Sequence, residues 1–279
     1  MKVIKNIPVE GKHSKPILTD LIYKENYQPK QIVIFCHGYK GYKDWGAWNL
    51  VAENFAKSNI FFVKMSFSHN GGTVEQPIDF PDLEAFGNNN FTIELDDIDT
   101  VINWVLKNPS IKEEIDPMRI TLIGHSRGGG SVLIKASEDK RITKVITWAG
   151  ISDFGSRFTN EEQINAWEKN GVVFIENGRT KQQMPHYFQF YLNYKENEPR
   201  LSIQNAVKKL EIPYLIIHGS EDETVPVKEA KDLLSWNSNN QLIVVENANH
   251  SFGSKHPWES LSLPKDLKAV VEKSIKFFI

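Results

Sequence analysis

Serine, histidine and aspartate can together make a hydroxyl attack a carbonyl, and this chain carries the three in a suggestive order. Ser126 lies in LIGHSRGGG (122–130), Asp222 in IIHGSEDETVP (216–226) and His250 in VVENANHSF (244–252). A serine hydroxyl is a poor nucleophile until a base takes its proton, so it needs a histidine within reach and an acid to hold the ring. Gly124 and Gly128 flank Ser126 in the G-x-S-x-G spacing, directly after an apolar run and directly before a helical pattern. A sharp strand-to-helix turn strains the serine backbone, and the glycines keep neighbouring Cβ atoms away. The hydroxyl is then lifted above the strand end, beside a helix N-terminus that favours negative charge.

Attack on a carbonyl also builds an oxyanion, which needs hydrogen-bond donors. The backbone N–H of Arg127, next after the serine, is one, and Tyr39 in CHGYKG (36–41) supplies the second by position. The acid has competitors: Glu221 and Glu223 adjoin Asp222, and Asp153 in AGISDF follows the preceding strand. Position within the loop favours Asp222. His13, His186 and His256 sit among polar or aromatic residues and read as surface or packing side chains, whereas His37 and His125 flank the site and read as turn-filling or backbone-bonding rings. No H-E-x-x-H, paired-cysteine or EF-hand pattern is present, so neither a metal nor a cofactor is expected. Cys36, the single cysteine, reads as a small buried hydrophobe.

These residues must be positioned by elements, and the elements alternate. QIVIFCHG (31–38), IFFVKMSF (60–67), RITLIGHS (119–126), KVITWAG (144–150), PYLIIHGS (213–220) and QLIVVENA (241–248) are nearly continuous in apolarity. They read as strands buried on both faces, as in a parallel sheet. Between and after them, residues 44–58, 91–108, 127–139, 227–236 and 264–279 repeat apolar side chains at three and four, the spacing of helices. Strand–helix alternation predicts an α/β, mostly parallel, doubly wound sheet with Asp222 and His250 on loops at one sheet edge. Residues 17–24, with the first nine, read as an opening antiparallel hairpin. Within helix 91–108, the acidic run ELDDID (94–99) reads as a charged outer face.

Residues 151–210 exceed what one strand–helix connection needs and read as a cap inserted after the sixth core strand, with 1–150 and 211–279 as the core. The insertion is rich in aromatics. Trp167, Tyr187, Phe188 and Tyr191 are the candidates to line a substrate pocket over the serine, against the alternative that such rings pack the cap. Arg179, Lys181 and Arg200 read as solvated, with a carboxylate or a peptide terminus as the alternative partner.

Composition narrows the function classes. Lysine plus arginine number 33 against 35 aspartates and glutamates, so no strong field points to nucleic acid or an anionic membrane. No stretch approaches the roughly 18 unbroken apolar residues of a membrane span, and the N-terminus has no apolar signal region. The expectation is a cytoplasmic protein acting on a small-molecule acyl substrate.

HGYKG, GHSRGG, HGSEDETVP and NANHSF, in this order on these elements, resemble the α/β-hydrolase fold from about residue 30 to the end. Within that superfamily, an HG-aromatic loop followed by DWGAW and a modest cap is similar to bacterial feruloyl or cinnamoyl esterases and to the serine aminopeptidase group. The resemblance implies acyl transfer to water through a covalent acyl-enzyme on Ser126. Esters are the expected substrates, with an aminopeptidase, an acyltransferase and a non-catalytic binding module as alternatives. SFSHNGGT departs from the Asp-x-x-Gly-x-Gly turn those enzymes often carry, and the insertion aligns with no substrate-defining pattern.

Overall fold

Alternating apolar runs fold as strands because each side chain finds a covered face. In the computed structural model, which describes residues 1–278, the chain opens with β1 (Lys2–Val9), β2 (Ile17–Tyr23) and β3 (Lys30–Cys36). Then come α1 (Trp48–Lys57), β4 (Phe61–Ser66), α2 (Leu83–Gly87), α3 (Phe91–Lys107), β5 (Ile115–His125), α4 (Arg127–Glu138) and β6 (Ile142–Trp148). The next stretch holds α5 (Glu161–Asn170), β7 (Val172–Glu176), β8 (Gln183–Tyr187), α6 (Gln189–Glu196) and α7 (Ile203–Lys209). The chain finishes with β9 (Tyr214–Gly219), α8 (Val227–Ser235), β10 (Asn240–Val245) and α9 (Lys265–Lys276). The helix expected over 264–279 therefore matches α9, and its last residue lies outside the described residues.

One sheet of eight strands runs β1-β2-β4-β3-β5-β6-β9-β10. The opening hairpin pairs antiparallel, β2 meets β4 antiparallel, and the remaining ladders are parallel. Period-2 alternation sends Ile32, Ile34 and Cys36 of β3 to one face with the apolar stripes of α3 and α4. Val33 and Phe35 go to the other face, with α1 and α9. Burial on both faces holds for the central strands, but β10 is half-exposed because it closes the sheet as an edge.

Two expectations need correction. The stretch between β6 and β9 does carry its own two-stranded antiparallel sheet of β7 and β8, but α7 is not part of an appended layer. Ile203, Ala206 and Val207 of α7 are buried in the main core, and α7 packs on α4, so it serves as the covering helix of the β6-to-β9 crossover. The acidic run 94–99 is not wholly an outer face: Glu94 and Asp97 are each 1% exposed, because both find polar partners inside. No helix of the described residues is long and apolar enough to cross a membrane.

Candidate active site

At the carboxyl end of β5 the chain turns abruptly into α4, and Ser126 occupies the turn with φ +56° and ψ −122°. A non-glycine residue adopts that region only where its surroundings dictate it. Here Ser126 N–H donates to the Trp148 carbonyl at 2.9 Å, and the Ser126 carbonyl accepts from Gly129 N–H at 2.9 Å. A Cβ on Gly124 would lie 2.3 Å from the Gly128 carbonyl oxygen, so the turn closes only with glycine there. The Ser126 hydroxyl caps no N–H of α4 and stands at the wall of a cavity of about 600 Å3.

His250 and the Asp222 loop reach the same cavity from the ends of β10 and β9. His250 Nδ1 donates to Asp222 Oδ2 at 2.8 Å. Asp222, 5% exposed, is over-determined: its Oδ1 accepts from Thr224 N–H at 3.0 Å and Val225 N–H at 2.8 Å, and His218 Nε2 lies 3.3 Å from Oδ2. Burial alone would raise this carboxyl, but the hydrogen bonds from His218, His250 and Val225 outweigh it and hold Asp222 below the ordinary carboxylate range. The competing acids go elsewhere. Asp153 is exposed and caps its own turn through the N–H groups of Gly155 and Ser156, while Glu221 and Glu223 are exposed on the cavity wall.

His125 and His37 act on the backbone around the site. His125 Nε2 donates to the His250 carbonyl at 2.9 Å, its ring 4.8 Å from the His250 ring, and burial lowers it to about 3. His37 Nδ1 donates to the Gly38 carbonyl at 2.8 Å, and its Nε2 accepts from Phe67 N–H at 3.2 Å, which fixes one tautomer. Burial lowers His37 to about 4, so it stays neutral and can keep accepting. The loop it braces brings Gly38 so near that a Cβ there would lie 2.8 Å from Ser126 Cβ. Tyr39 follows, on the same cavity wall. Its N–H bonds to no backbone carbonyl among the described residues, and the N–H of Arg127, in the first turn of α4, has no intrahelical acceptor.

The loop from Gly38 to Ala47 is anchored by charge. Lys43 and Asp44, on the loop, meet Asp20 of β2 and Lys64 of β4 in a buried quartet: Lys43 Nζ to Asp20 Oδ1 at 2.9 Å, Lys64 Nζ to Asp20 Oδ2 at 3.1 Å and to Asp44 Oδ1 at 2.7 Å, with Lys43 also on Asp44. Burial would raise Asp44, and Lys64 and Lys43 together hold it well below the usual range. Arg127 has a similar arrangement. Its guanidinium pairs with buried Glu94, which also accepts from Asn89 at 3.0 Å and Ser131 at 3.1 Å, and it lies 5.2 Å from the Tyr39 ring centroid.

The aromatic candidates take other places. Trp167, Tyr187, Phe188 and Tyr191 do not line the cavity that holds Ser126. Trp167 donates to the His186 carbonyl at 2.7 Å and packs against Phe188, Phe188 packs against Tyr191, and Tyr187 reaches Glu84, so these rings fasten the insertion to itself and to α2. The cavity's indoles are instead Trp45 and Trp48, from DWGAW. His186, read as a packing side chain, accepts from the Tyr39 hydroxyl at 2.6 Å, while its Nδ1 donates to the Pro185 carbonyl at 2.7 Å. Burial lowers His186 to about 4, with Arg127 nearby as a second cause. Nothing in the sequence marks His218 except its address on β9, four residues before Asp222. Arg179 pairs with Asp79, Lys181 with Glu176 and Arg200 with Glu138.

The family model described as BD-FAE matches residues 20–236, well over half of the chain. An uncharacterized peptidase of Bacillus subtilis, YtmA, is 23% identical over 168 residues, 60% of this chain and 58% of the relative, so the chain spans a little over half of that protein's length. Among solved structures, Est1E from Butyrivibrio proteoclasticus aligns with a TM-score of 0.69 at 16% identity, covering 99% of this chain and 98% of that one, and a structure of Est1E with ferulic acid bound aligns equally well. A dienelactone hydrolase from Anabaena variabilis aligns with a TM-score of 0.62 at 16% identity, covering 99% and 96%. These likenesses show the fold, that of the α/β hydrolases.

Proposed function

We propose that this chain, which belongs to the BD-FAE family, is a serine hydrolase that cleaves carboxylic esters with aryl or short-to-medium acyl groups. One observation carries the reading: Asp222 and His250 share a 2.8 Å hydrogen bond on loops that reach the cavity where Ser126 stands on its strained turn. His250 Nε2 takes the Ser126 proton, Ser126 Oγ attacks the carbonyl carbon, and Asp222 stabilises the imidazolium. The N–H groups of Tyr39 and Arg127 hold the oxyanion, the alcohol leaves with the proton from His250, and water attacks the acyl-enzyme by the reverse relay. The Est1E structure with ferulic acid bound supports an aryl acyl group.

A peptidase releasing N-terminal residues is the second reading, favoured by Glu221 and Glu223 on the cavity wall, where carboxylates could hold an amine. A fluorophosphonate probe located by peptide mass spectrometry, on the native chain, on Ser126→Ala and on His250→Ala, tests the chemistry without a guess at substrate. The expected result is an adduct on Ser126 that disappears in both variants, and ester turnover abolished in Ser126→Ala with the fold intact. A folded Ser126→Ala protein that keeps its kcat on esters overturns the mechanism. Aminoacyl arylamides cleaved in preference to matched esters would favour the peptidase.

A further inference from the structure

The cleft continues past Ser126. Lys40, Trp45 and Ser251 are walls both of the cavity that holds Ser126 and His250 and of an adjoining cavity of about 350 Å3, whose far side carries Arg179, Lys255 and His256. Among the described residues no acidic side chain lines this annex, although the chain as a whole carries a formal charge of −2. The charge of Arg179 is met by Asp79, so among the described residues Lys40 and Lys255 are the annex cations without a carboxylate partner. Lys40 is the more telling. Its backbone takes φ +52°, a conformation glycine or asparagine adopts at lower cost, directly after the proposed oxyanion donor Tyr39. Its side chain is half-buried, and among the described residues its ammonium meets the Glu176 carbonyl at 3.4 Å and the Tyr39 ring at 5.1 Å to the centroid, with no carboxylate paired to it. Burial without a carboxylate to offset it lowers this lysine below its ordinary range. The annex also holds an unused donor. His256 Nδ1 accepts from Gly46 N–H at 3.0 Å, which leaves the ring proton on Nε2 without a partner among the described residues, and the ring stacks on Trp45.

We propose that this annex binds an anionic group, a carboxylate or a phosphate monoester, carried by the substrate beyond the scissile bond; the proposal rests on the serine-hydrolase reading of the neighbouring cavity. Lys40 and Lys255 supply the charge and His256 Nε2–H a directed hydrogen bond. Trp45 is a wall of both cavities, so an aryl or similarly flat body between the ester and the anion would lie against an indole.

Matched substrates test this. On the leaving-group side, 4-acetoxybenzoate and 4-acetoxyphenyl phosphate are compared with methyl 4-acetoxybenzoate; on the acyl side, the p-nitrophenyl monoester of succinate is compared with p-nitrophenyl pentanoate. The readout is the ratio of kcat/KM, anionic to neutral, so that intrinsic reactivity and any general loss cancel between variants. For at least one pair the ratio falls about fivefold in Lys40→Gln and in Lys255→Gln, falls further in the double variant, and is retained in Lys40→Arg. Added salt erodes the ratio in the native chain but not in the double variant. Which pair responds tells acyl from leaving-group side, and carboxylate from phosphate. Ratios that are the same in the native chain and the double variant for every pair, with the neutral esters still cleaved and Ser126 still labelled by fluorophosphonate, overturn the annex and leave the hydrolase reading standing. No cleavage of any ester and no label on Ser126 overturn both.

Discussion

Replacing Asp222 by asparagine changes one atom of the site, and the surrounding hydrogen bonds dictate how the amide must sit. The side facing Thr224 N–H and Val225 N–H, at 3.0 and 2.8 Å, has to be the carbonyl oxygen. The amide NH2 is then turned toward His250 Nδ1 and His218 Nε2, at 2.8 and 3.3 Å, and both are donors in the native arrangement, since His218 Nε2 also donates to the Val225 carbonyl at 2.8 Å. Donor against donor is relieved at His250 only by moving its proton from Nδ1 to Nε2. On the proposed mechanism, that tautomer would present Ser126 with an N–H where a lone pair is required. Wrong-tautomer losses in such sites run to about ten-thousandfold in kcat, or about 5.5 kcal/mol of transition-state stabilisation. Loss of the charge on the two backbone hydrogen bonds adds about 1–3 kcal/mol of destabilisation. Steady-state kinetics on an aryl ester and the rate of fluorophosphonate labelling should fall together, while circular dichroism shows a folded protein. A folded Asp222→Asn variant within tenfold of native kcat/KM would refute this account and return the acid's role to Glu221, Glu223 or Asp153.

Two further predictions concern the buried charges. Asp97 on α3, 1% exposed, accepts from Ser68 N–H at 2.7 Å through Oδ2 while Oδ1 has no partner, and burial pushes its carboxyl up to about 8. Its folded value lies above the unfolded one, so its contribution to stability is full below about pH 3.9 and is lost as pH rises through about 8. Asp97→Asn keeps the acceptor for Ser68 and cannot ionise. It should stabilise the protein progressively between pH 5 and 8 in urea melts, and identical pH slopes for the two proteins would refute the argument. Lys64, whose side chain is 0% exposed, bridges Asp20 and Asp44. Lys64→Ala leaves those carboxylates short of a buried partner and should cost about 3–5 kcal/mol by guanidinium denaturation; a loss under about 1 kcal/mol would mean that water already reaches the quartet.

What the sequence made legible was local or ordered along the chain. The turn at Ser126 is spelled by residues 122–130, and the loops bearing Asp222 and His250 each follow an apolar strand run, so a parallel sheet brings their ends to one edge without knowledge of packing. Roles set by contacts between distant residues were not legible. Glu94 and Asp97 occupy a helix whose polar positions usually face water; only their partners Arg127 and Ser68, from other elements, make them interior. Trp167, Tyr187, Phe188 and Tyr191 show why composition misleads: a ring that lines a pocket and a ring that fastens an insertion have the same sequence signature. α7 repeats the lesson at the level of domains, since a helix after a long insertion gives no sign of whether it caps the insertion or covers the sheet.

The insertion and the proposed oxyanion donors are nevertheless in contact. The Tyr39 hydroxyl is held by His186 of β8, and the Arg127 guanidinium lies 5.8 Å from the Phe190 ring of α6 and 6.0 Å from the Phe91 ring of α3. Both residues whose N–H groups would hold the oxyanion thus meet the segment between β6 and β9, Tyr39 through His186 and Arg127 through Phe190, although Glu94 of α3 takes the Arg127 charge and Trp167, Tyr187, Phe188 and Tyr191 do not line the Ser126 cavity. Donors aimed at developing charge are effective only when already in place, because any reorganisation at the moment of reaction subtracts from the stabilisation. On the proposed mechanism, the insertion would bear on catalysis through the geometry of these two backbone groups. A change at His186 or Phe190 would therefore register in kcat, where a change to a ring that merely touched substrate in the ground state would register in KM.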